Sequence, residues 1–270
     1  MESSKQPYRV LLSFDLEEFD IPNEYGGTLR DEEQLSVTQK GNSKLLPVLT
    51  GMEIPATFFT TAFYARQNQS EIEELALSHE IASHAFHHSR FSEDDILHSR
   101  QILTKISGQT VEGFRMPRLA PVNKRNIRAA GYTYDASLNP TWLPGRYNNF
   151  SQPRTLFRKD RLLIMPASVT PWLRIPLFWL AFKNLPLSFI KQCSLNVLKS
   201  DGYLSLYFHP WEYADLSAYK MMPFYTRRIH GNQLLDKLTA YLEWIQTFSS
   251  FTTMGLFIKN HEHALHSSTL

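Results

Sequence analysis

The sequence is poor in several features that would define a protein class. Its 270 residues contain a single cysteine, Cys193, so an internal disulfide cannot stabilise the fold. Basic residues number 28 and acidic residues 26, a net charge of +2, and no segment concentrates Lys and Arg; this argues against a nucleic-acid partner. Repeats, low-complexity tracts and Gly/Ser linkers are also missing. We therefore expect one domain over residues 1–270, with its core between about residues 8 and 250.

Long apolar segments are missing too. The N-terminal residues before the first apolar run do not resemble a signal peptide, and a cytoplasmic location is therefore expected. The most apolar later segment, 172–190, is interrupted by charged residues and prolines and is too broken to span a membrane. We expect this segment to form a loop and a helix that cover the core. Peripheral contact with a membrane surface is the alternative.

Short apolar runs alternate with helical patterns along the chain. Hydrophobic residues make up 43% of the sequence, enough for a large core, and continuous runs such as Val10-Leu11-Leu12 are typical of a sheet buried on both faces. Strands are predicted at 8–15, 56–61, 80–84, 113–116, 133–136, 162–168 and 203–209. Helices are predicted at 44–51, 70–78, 93–107, 124–130, 185–199 and 232–248. This alternation predicts an α/β barrel with one strand fewer than the usual eight.

Polar residues follow the predicted strands where each strand ends. The residues at these positions are Asp15, His84, Arg115, Asp135 and His209. In a parallel barrel the carboxyl ends of the strands meet on one face, where catalytic groups collect. The sequence therefore predicts that these five side chains face a common site.

Two segments carry the residue types of a metal site. Side chains alternate along a strand, so Asp15 and Glu17 are expected to share a face, although this segment taken alone is more typical of a solvated loop that begins with Glu17 and Glu18. His84 and His88 are four residues apart, and a helical turn would place both imidazoles on one side. A carboxylate and two imidazoles suit Zn²⁺, Co²⁺, Ni²⁺ or Fe²⁺. His87 is the alternative ligand, and His79 is expected to be structural.

The remaining candidates are an arginine, a carboxylate and a histidine. Arg115 can hold a carboxylate through two parallel hydrogen bonds, although an ordinary surface ion pair is the alternative. Asp135 can orient an arginine or a histidine, as second partners of catalytic groups do. His209 ends a buried strand among aromatic residues, an environment suited to a general acid, and simple packing is its alternative.

The ordered set of motifs resembles the polysaccharide deacetylase family, also called carbohydrate esterase family 4 or the NodB-homology domain. The matching segments are Ser13-Phe14-Asp15, Ala56-Thr57-Phe58-Phe59, His79-Glu80-Ile81-Ala82-Ser83-His84 with His88, Phe114-Arg115-Met116-Pro117, Gly131-Tyr132-Thr133-Tyr134-Asp135-Ala136-Ser137 and Phe208-His209-Pro210-Trp211-Glu212. The resemblance spans almost the whole chain and explains segment 170–189 least.

The resemblance implies a distorted (β/α)₇ barrel that removes N-acetyl groups from a carbohydrate with the help of a divalent metal, zinc being the first expectation. It makes Asp15 the general base and His209 the general acid. It makes His84 and His88 metal ligands, with Arg115 orienting the base. Asp135 lies in a matching motif and is included among the catalytic candidates.

The chain departs from the family pattern at two positions. The common first motif has two adjacent aspartates, the second of which binds metal, and here Leu16 stands in that place. A subgroup that this chain resembles uses an acidic residue two positions after the base, which makes Glu17 the third ligand. Arg118 stands where an aromatic residue often follows the proline.

Other functions are compatible with the same motifs. A sugar-binding barrel that has lost catalysis is one alternative, and hydrolysis of another non-peptide C–N bond, as in a formamide or cyclic amide, is a second. The sequence motifs do not distinguish among several N-acetylated substrates. Chitin oligomers, peptidoglycan, a surface polysaccharide precursor and a lipid-linked sugar are all compatible with the sequence.

Overall fold

A computed structural model describes residues 8–267 of the protein. Its strands, in chain order, are β1 (Tyr8–Leu16), β2 (Thr57–Thr60), β3 (Glu80–Ser83), β4 (Gly113–Phe114), β5 (Tyr134–Asp135), β6 (Trp142–Leu143), β7 (Tyr147–Asn148), β8 (Phe157–Lys159), β9 (Leu162–Ile164), β10 (Tyr203–Phe208) and β11 (Ser249–Phe251). Parallel strands run in the order β10-β1-β2-β3-β4-β5-β9, and β8 adds to β9 in the antiparallel direction. All seven predicted strands are present in this parallel set.

The sheet curls into an incomplete barrel. Between β9 and β10 there is no strand ladder in the described chain, but Ser168 donates its N–H to the carbonyl of Ser205 (2.9 Å), and Ser205 N–H returns a bond to Ser168 Oγ (2.9 Å). The chain after β9 therefore leaves the sheet early and touches β10 at one point. The observed fold confirms the predicted single α/β domain built on a distorted barrel.

Burial on both faces explains the continuous apolar runs. Leu12, Phe14 and Leu16 of β1 belong to the large cluster beneath the helices, whereas Leu11 packs inside the barrel with Phe59. Because successive side chains point to opposite faces, one strand supplies both layers. The same alternation places Ser13 and Asp15 on the interior face.

Helices surround the barrel. They are α1 (Asp31–Gly51), α2 (Ala62–Gln67), α3 (Gln69–Leu75), α4 (Asp94–Ser107), α5 (Lys124–Ala129), α6 (Trp179–Asn184), α7 (Leu187–Asp201), α8 (Phe224–Arg227), α9 (Gly231–Gln246) and α10 (Met254–Ser267). Short 3₁₀ turns cover Ile21–Tyr25, Pro117–Leu119 and Pro210–Tyr213. Within residues 8–267, no helix combines the length and the apolar character that crossing a bilayer requires.

Helix α1 departs from the predicted elements, because it begins at Asp31 instead of residue 44. Its N-terminal half is polar and contains Gly41, which weakens the helical pattern in the sequence. A Cβ at Gly41 would lie 1.9 Å from the carbonyl oxygen of Pro210. The glycine is therefore needed for α1 to pass close to the turn that follows β10.

Segment 172–190 is not a single element. Trp172 and Leu173 are 89% and 76% exposed at the tip of a tight loop, whereas Leu177, Phe178 and Phe182 are buried against the core. This arrangement agrees with the predicted loop and helix that cover the core. At the other end of the barrel, Met254 and Ile258 pack inside, so the packed chain continues beyond residue 250.

Candidate metal and catalytic site

The carboxyl ends of β1, β3 and β10 open into a cavity of about 470 Å³. Among the residues that line it are Asp15, Glu17, His84, His88 and His209. Three of these, Asp15, His84 and His209, follow from the predicted convergence of strand ends. Glu17 follows from alternation along β1, and His88 from its spacing to His84. Arg115 and Asp135 are buried behind this surface.

Three side-chain atoms meet at one point of the cavity. Glu17 Oε2 lies 2.9 Å from His84 Nε2 and 3.2 Å from His88 Nε2. The other oxygen of Glu17 accepts a hydrogen bond from Trp211 Nε1 (3.1 Å), which fixes the carboxylate. Leu16, between Asp15 and Glu17, points into the core instead, as the alternation along β1 predicts.

The opposite nitrogens of both imidazoles show which atoms carry hydrogen. His84 Nδ1 lies 2.8 Å from the carbonyl oxygen of Arg115, and His88 Nδ1 lies 2.7 Å from Asp20 Oδ1. A carbonyl or carboxylate oxygen only accepts, so each Nδ1 is the donor, and in a neutral ring Nε2 presents a lone pair. Such a partner on the far nitrogen is the usual companion of a metal-binding histidine.

The converging atoms fit a divalent cation. Glu17 Oε2 and His84 Nε2 are buried, and neither has a hydrogen-bond partner among the described residues despite their short separation. Two lone pairs facing each other in a buried site repel unless a cation or a proton lies between them. One carboxylate and two imidazoles also match the donor set of protein-bound zinc.

The ionisation of these groups agrees with a site built for positive charge. Burial raises the pKa of Glu17, but His88 and His209 outweigh it and the net pKa falls well below its usual value. Burial lowers the pKa of His88, but Glu17 and the hydrogen bond to Asp20 raise it to about 9. Without a cation, a proton on His88 therefore supplies the missing positive charge.

A second group of donors, Asp15, Glu17 and His209, is also close enough to share an ion. Its separations are longer, at 3.8 Å from His209 Nε2 to Asp15 Oδ2 and 3.9 Å to Glu17 Oε1. Asp15 Oδ1 is already held by Arg115. Glu17, His84 and His88 are therefore the set of donors that better fits a cation.

The loop between the two histidines corrects one expectation. Residues 84–88 do not form a helical turn, because Ala85 adopts a left-handed conformation with φ of 59°. The carbonyls of Ala85 and Phe86 instead accept hydrogen bonds from Ala62 and Phe63 at the start of α2. The loop still stacks the rings of His84 and His88, with centroids 5.7 Å apart.

The other two histidines of this segment lie outside the cluster. His87 Nδ1 is 3.4 Å from Glu18 Oε1, and its ring packs on Phe63. His79 accepts a hydrogen bond from the backbone of Ala56, and burial lowers its pKa to about 4. The structure therefore separates His87 from the three donors and gives His79 a packing role.

Arg115 is buried and holds Asp15. One of its nitrogens binds Asp15 Oδ1 and another donates to Ser13 Oγ (3.0 Å), while the guanidinium lies 3.9 Å above the ring of Phe59. Only 2% of Arg115 is exposed, which excludes an ordinary surface ion pair. Asp15 Oδ2 faces the cavity, 4.0 Å from His84 Nε2.

His209 is a second histidine that lies close to Asp15, with its Nε2 3.8 Å from Asp15 Oδ2. Glu212 Oε1 accepts the backbone N–H of His209 (2.9 Å) and lies 3.2 Å from its Nδ1. Burial lowers the pKa of His209, but the carboxylates of Glu17 and Glu212 raise it overall. The imidazole therefore favours its protonated form, with Nε2 directed towards Asp15.

Asp135 does not join the site as expected. Its carboxylate binds Lys124 Nζ and accepts hydrogen bonds from the N–H and hydroxyl of Ser137, so no bond to Arg115 or to a histidine is formed among the described residues. Ser137 Oγ in turn accepts the N–H of Met116 (2.7 Å). Asp135 therefore fixes the loop next to Arg115 without touching the side chains that line the cavity.

Three supporting residues escape the sequence analysis. Asp20 holds His88, Trp211 holds Glu17, and Glu212 holds His209. Trp211 and Glu212 lie in a motif that matches the family, so the sequence located both residues. It did not predict that they bind Glu17 and His209. Asp20 could have been sought as the carboxylate partner that a metal-binding histidine usually has.

Replacing His88 or His87 by alanine, one at a time, is expected to distinguish a metal ligand from a neighbouring histidine that binds no metal. His88→Ala should lose most of the bound metal, because one of three protein donors is removed. His87→Ala should keep it, because His87 faces Glu18. Metal content is measured by elemental analysis after gel filtration. Full occupancy in His88→Ala together with loss in His87→Ala would show that the assignment is reversed.

Comparison with known proteins gives one family profile and a set of similar folds. The sequence profile of the polysaccharide deacetylase family matches residues 10–134. No curated protein matches the chain. Three solved structures share its fold. The first is assigned as a polysaccharide deacetylase of Mycobacterium smegmatis, with 17% identity, a TM-score of 0.66 and coverage of 98% of this chain and 93% of that one.

The second structure, the Puue allantoinase, has 16% identity, a TM-score of 0.65 and the same coverage of 98% and 93%. The third, assigned as a polysaccharide deacetylase of Pseudomonas aeruginosa PAO1, has 15% identity and a TM-score of 0.68, covering 96% of this chain and 91% of that one. At these identities the structures show a shared fold. The profile match covers residues 10–134, so the family resemblance rests on this part of the chain, while the shared fold extends over nearly all of it.

Proposed function

We propose that the protein is a metal-dependent hydrolase that removes N-acetyl groups from a carbohydrate. The observation that carries the proposal is the convergence of Glu17, His84 and His88 on one point beside Asp15 and His209. Zinc is the proposed ion, and Co²⁺, Ni²⁺ and Fe²⁺ suit the same donors.

The chemistry requires activation of both water and the amide. Glu17, His84 and His88 would hold a divalent metal, which when bound would polarise the acetamide carbonyl and lower the pKa of water. Asp15 accepts the proton of the attacking water through Oδ2, while Arg115 holds Oδ1 and favours the ionised carboxylate. His209 donates a proton from Nε2 to the departing amine, which is too basic to leave as an anion.

The backbone N–H of Arg118 is proposed to bind the developing oxyanion. Arg118 and Leu119 line the cavity and both have left-handed backbone conformations, with φ of 56° and 51°. Such conformations are costly for residues other than glycine and concentrate at functional sites. The side chain of Arg118 turns away to bind Asp20 (3.1 Å), the residue that orients His88.

An N-acetylated glycan is the proposed substrate. Aromatic rings line the cavity, including those of Tyr147, Trp179 and Tyr207, and such surfaces pack well against the faces of sugar rings. A lipid-linked sugar is one of the glycans compatible with the sequence. For such a substrate we propose peripheral membrane contact through the exposed Trp172 and Leu173, because tryptophan favours the interface between lipid and water.

Metal analysis combined with acetate release tests the proposed function. We expect the purified protein to release acetate from at least one member of a panel of N-acetylated glycans. Chelation should abolish the activity, and adding Zn²⁺ should restore it, because the metal activates the water. The panel includes formamides and cyclic amides, since an allantoinase shares the fold. Turnover of these alone would contradict deacetylation, and bound metal with no turnover would favour a sugar-binding barrel.

A further inference from the structure

Helix α6 buries a lysine behind the catalytic cavity. Lys183 is 2% exposed, and its Nζ donates to the carbonyl of Thr226 (2.8 Å) and lies 3.1 Å from Glu212 Oε2. Lys183 is not among the residues that line the cavity, although its neighbours Trp179 and Asn184 are. An ammonium group is costly to bury. Because it lies behind the cavity wall, any effect on the reaction must pass through another residue.

Glu212 connects Lys183 to His209. One carboxylate oxygen, Oε2, faces Lys183, and the other, Oε1, accepts the N–H of His209 and lies 3.2 Å from its Nδ1. An ionised carboxylate only accepts, so Nδ1 of His209 carries the hydrogen. This leaves Nε2 as the atom that faces Asp15, 3.8 Å away.

Two indole rings complete the support of the imidazole. Trp211 stacks on His209 with centroids 4.9 Å apart and an interplanar angle of 24°, while Trp179 meets His209 nearly at right angles at 5.0 Å. Lys183 Nζ lies 5.5 Å from the ring of Trp179 and 5.6 Å from that of Trp211. One ammonium group therefore contacts both rings and the carboxylate that surround His209.

We propose that Lys183 is a positioning residue for His209, acting through Glu212 and the paired indoles of Trp179 and Trp211. The inference rests on the proposed deacetylase function, in which His209 protonates the departing amine. With Lys183 removed, Glu212 is a buried carboxylate without its cation and gains a tendency to take up a proton. A protonated Glu212 no longer accepts reliably from Nδ1 of His209, so the orientation of the imidazole ring is less firmly held. Segment 170–189, least explained by the motifs, thereby supplies part of the acid's environment.

The test compares Lys183→Met with a matched lysine on α9. Lys237 Nζ donates to the carbonyls of Phe182 (2.6 Å) and Leu185 (2.7 Å), so Lys237 anchors the same helix from its other side. Each variant is assayed on an N-acetylated glycan and on 4-nitrophenyl acetate, an ester whose leaving group needs no proton. Lys183→Met should lower amide turnover by about tenfold or more, but by less than the full ~10²–10⁴ that a positioned acid is worth, and ester turnover much less.

Lys237→Met reports what loosening of α6 does by itself. We expect this variant to melt at a lower temperature and to change amide and ester turnover by the same factor. Equal losses on both substrates in Lys183→Met would overturn the proposal, because a merely structural lysine affects both reactions alike. Unchanged amide turnover in a folded Lys183→Met protein would overturn it as well.

A spectroscopic measurement separates this inference from the proposed function. The ¹⁵N chemical shifts of the His209 ring, assigned by comparison with His209→Ala, report which nitrogen carries hydrogen. The wild type should show a protonated Nδ1 that is altered in Lys183→Met and retained in Lys237→Met. This result needs no turnover. If the wild type releases no acetate, the proposed function fails, while the ring signal still decides the role of Lys183.

The double variant Lys183→Met/Glu212→Gln covers the case in which the single variant does not fold. Replacing both members of a buried ion pair leaves no uncompensated charge, so the double variant should fold. It should keep the selective loss on the amide, because a neutral glutamine accepts the hydrogen of His209 Nδ1 less strongly than a carboxylate does. A wild-type ratio of amide to ester turnover in the double variant would refute the proposal.

Discussion

Replacing Asp15 by asparagine is expected to remove nearly all deacetylase turnover while the metal stays bound. Asparagine has almost the same shape and still offers an oxygen to Arg115, but an amide cannot take up the proton of the attacking water. The expected loss is at least about 10²–10⁴ in kcat, the usual worth of a positioned acid or base. Acetate release and metal content are measured on the same preparation.

Glu17→Gln is the matched control, because it neutralises the neighbouring carboxylate on the same face of β1. Glu17 Oε2 is the atom that both His84 and His88 approach, so its loss of charge should weaken metal retention first. Excess metal should restore much of the turnover of Glu17→Gln and none of that of Asp15→Asn. The reverse pattern would mean that the roles of base and ligand are exchanged.

The strands were predictable because each is buried on both faces. A continuous apolar run such as Val10-Leu11-Leu12 needs no partner to be recognised, and the predicted bounds agree closely with the observed strands. The end of β9 was harder to predict from the sequence. The chain was predicted as extended to residue 168, but β9 ends at Ile164, and Ser168 then reaches across to β10. That crossing depends on where β10 lies, which the local sequence does not contain.

The alternation along β1 and the spacing of the two histidines correctly predicted which residues meet in the site. The backbone conformation of the loop that carries the histidines was less predictable. The spacing of His84 and His88 suggested a helical turn, whereas Ala85 reverses the backbone and the loop docks on α2. The two rings become neighbours by a different route. A four-residue spacing therefore indicated the contact without indicating the conformation.

The partners of the site residues depended on the folded chain and not on local patterns. Asp135 was expected to bind an arginine or histidine, but its carboxylate binds Lys124 instead, eleven positions before it in the chain. Lys183 stands in a segment without a recognisable motif and meets Glu212 only after α6 packs behind the turn that follows β10. Contacts over such separations follow from packing, and a single sequence does not reveal them.

His209→Ala should lower kcat for an acetamide by roughly 10²–10⁴, the usual worth of a positioned acid, with metal content unchanged. His209 Nε2 lies 3.8 Å from Asp15 Oδ2 and is not one of the three donors Glu17, His84 and His88, so its loss should leave those three in place. The loss should depend on the leaving group, because an amine must be protonated as it departs whereas 4-nitrophenolate leaves without a proton.

Assaying an acetamide and an activated acetate ester with the same His209→Ala preparation controls for misfolding, which would depress both reactions equally. The surrounding rings make this control necessary, since removing an imidazole packed between Trp179 and Trp211 leaves a gap in the cavity wall. A large loss on the amide with a small loss on the ester identifies His209 as the proton donor to the leaving nitrogen. Equal losses would assign it to positioning the substrate and would require another acid.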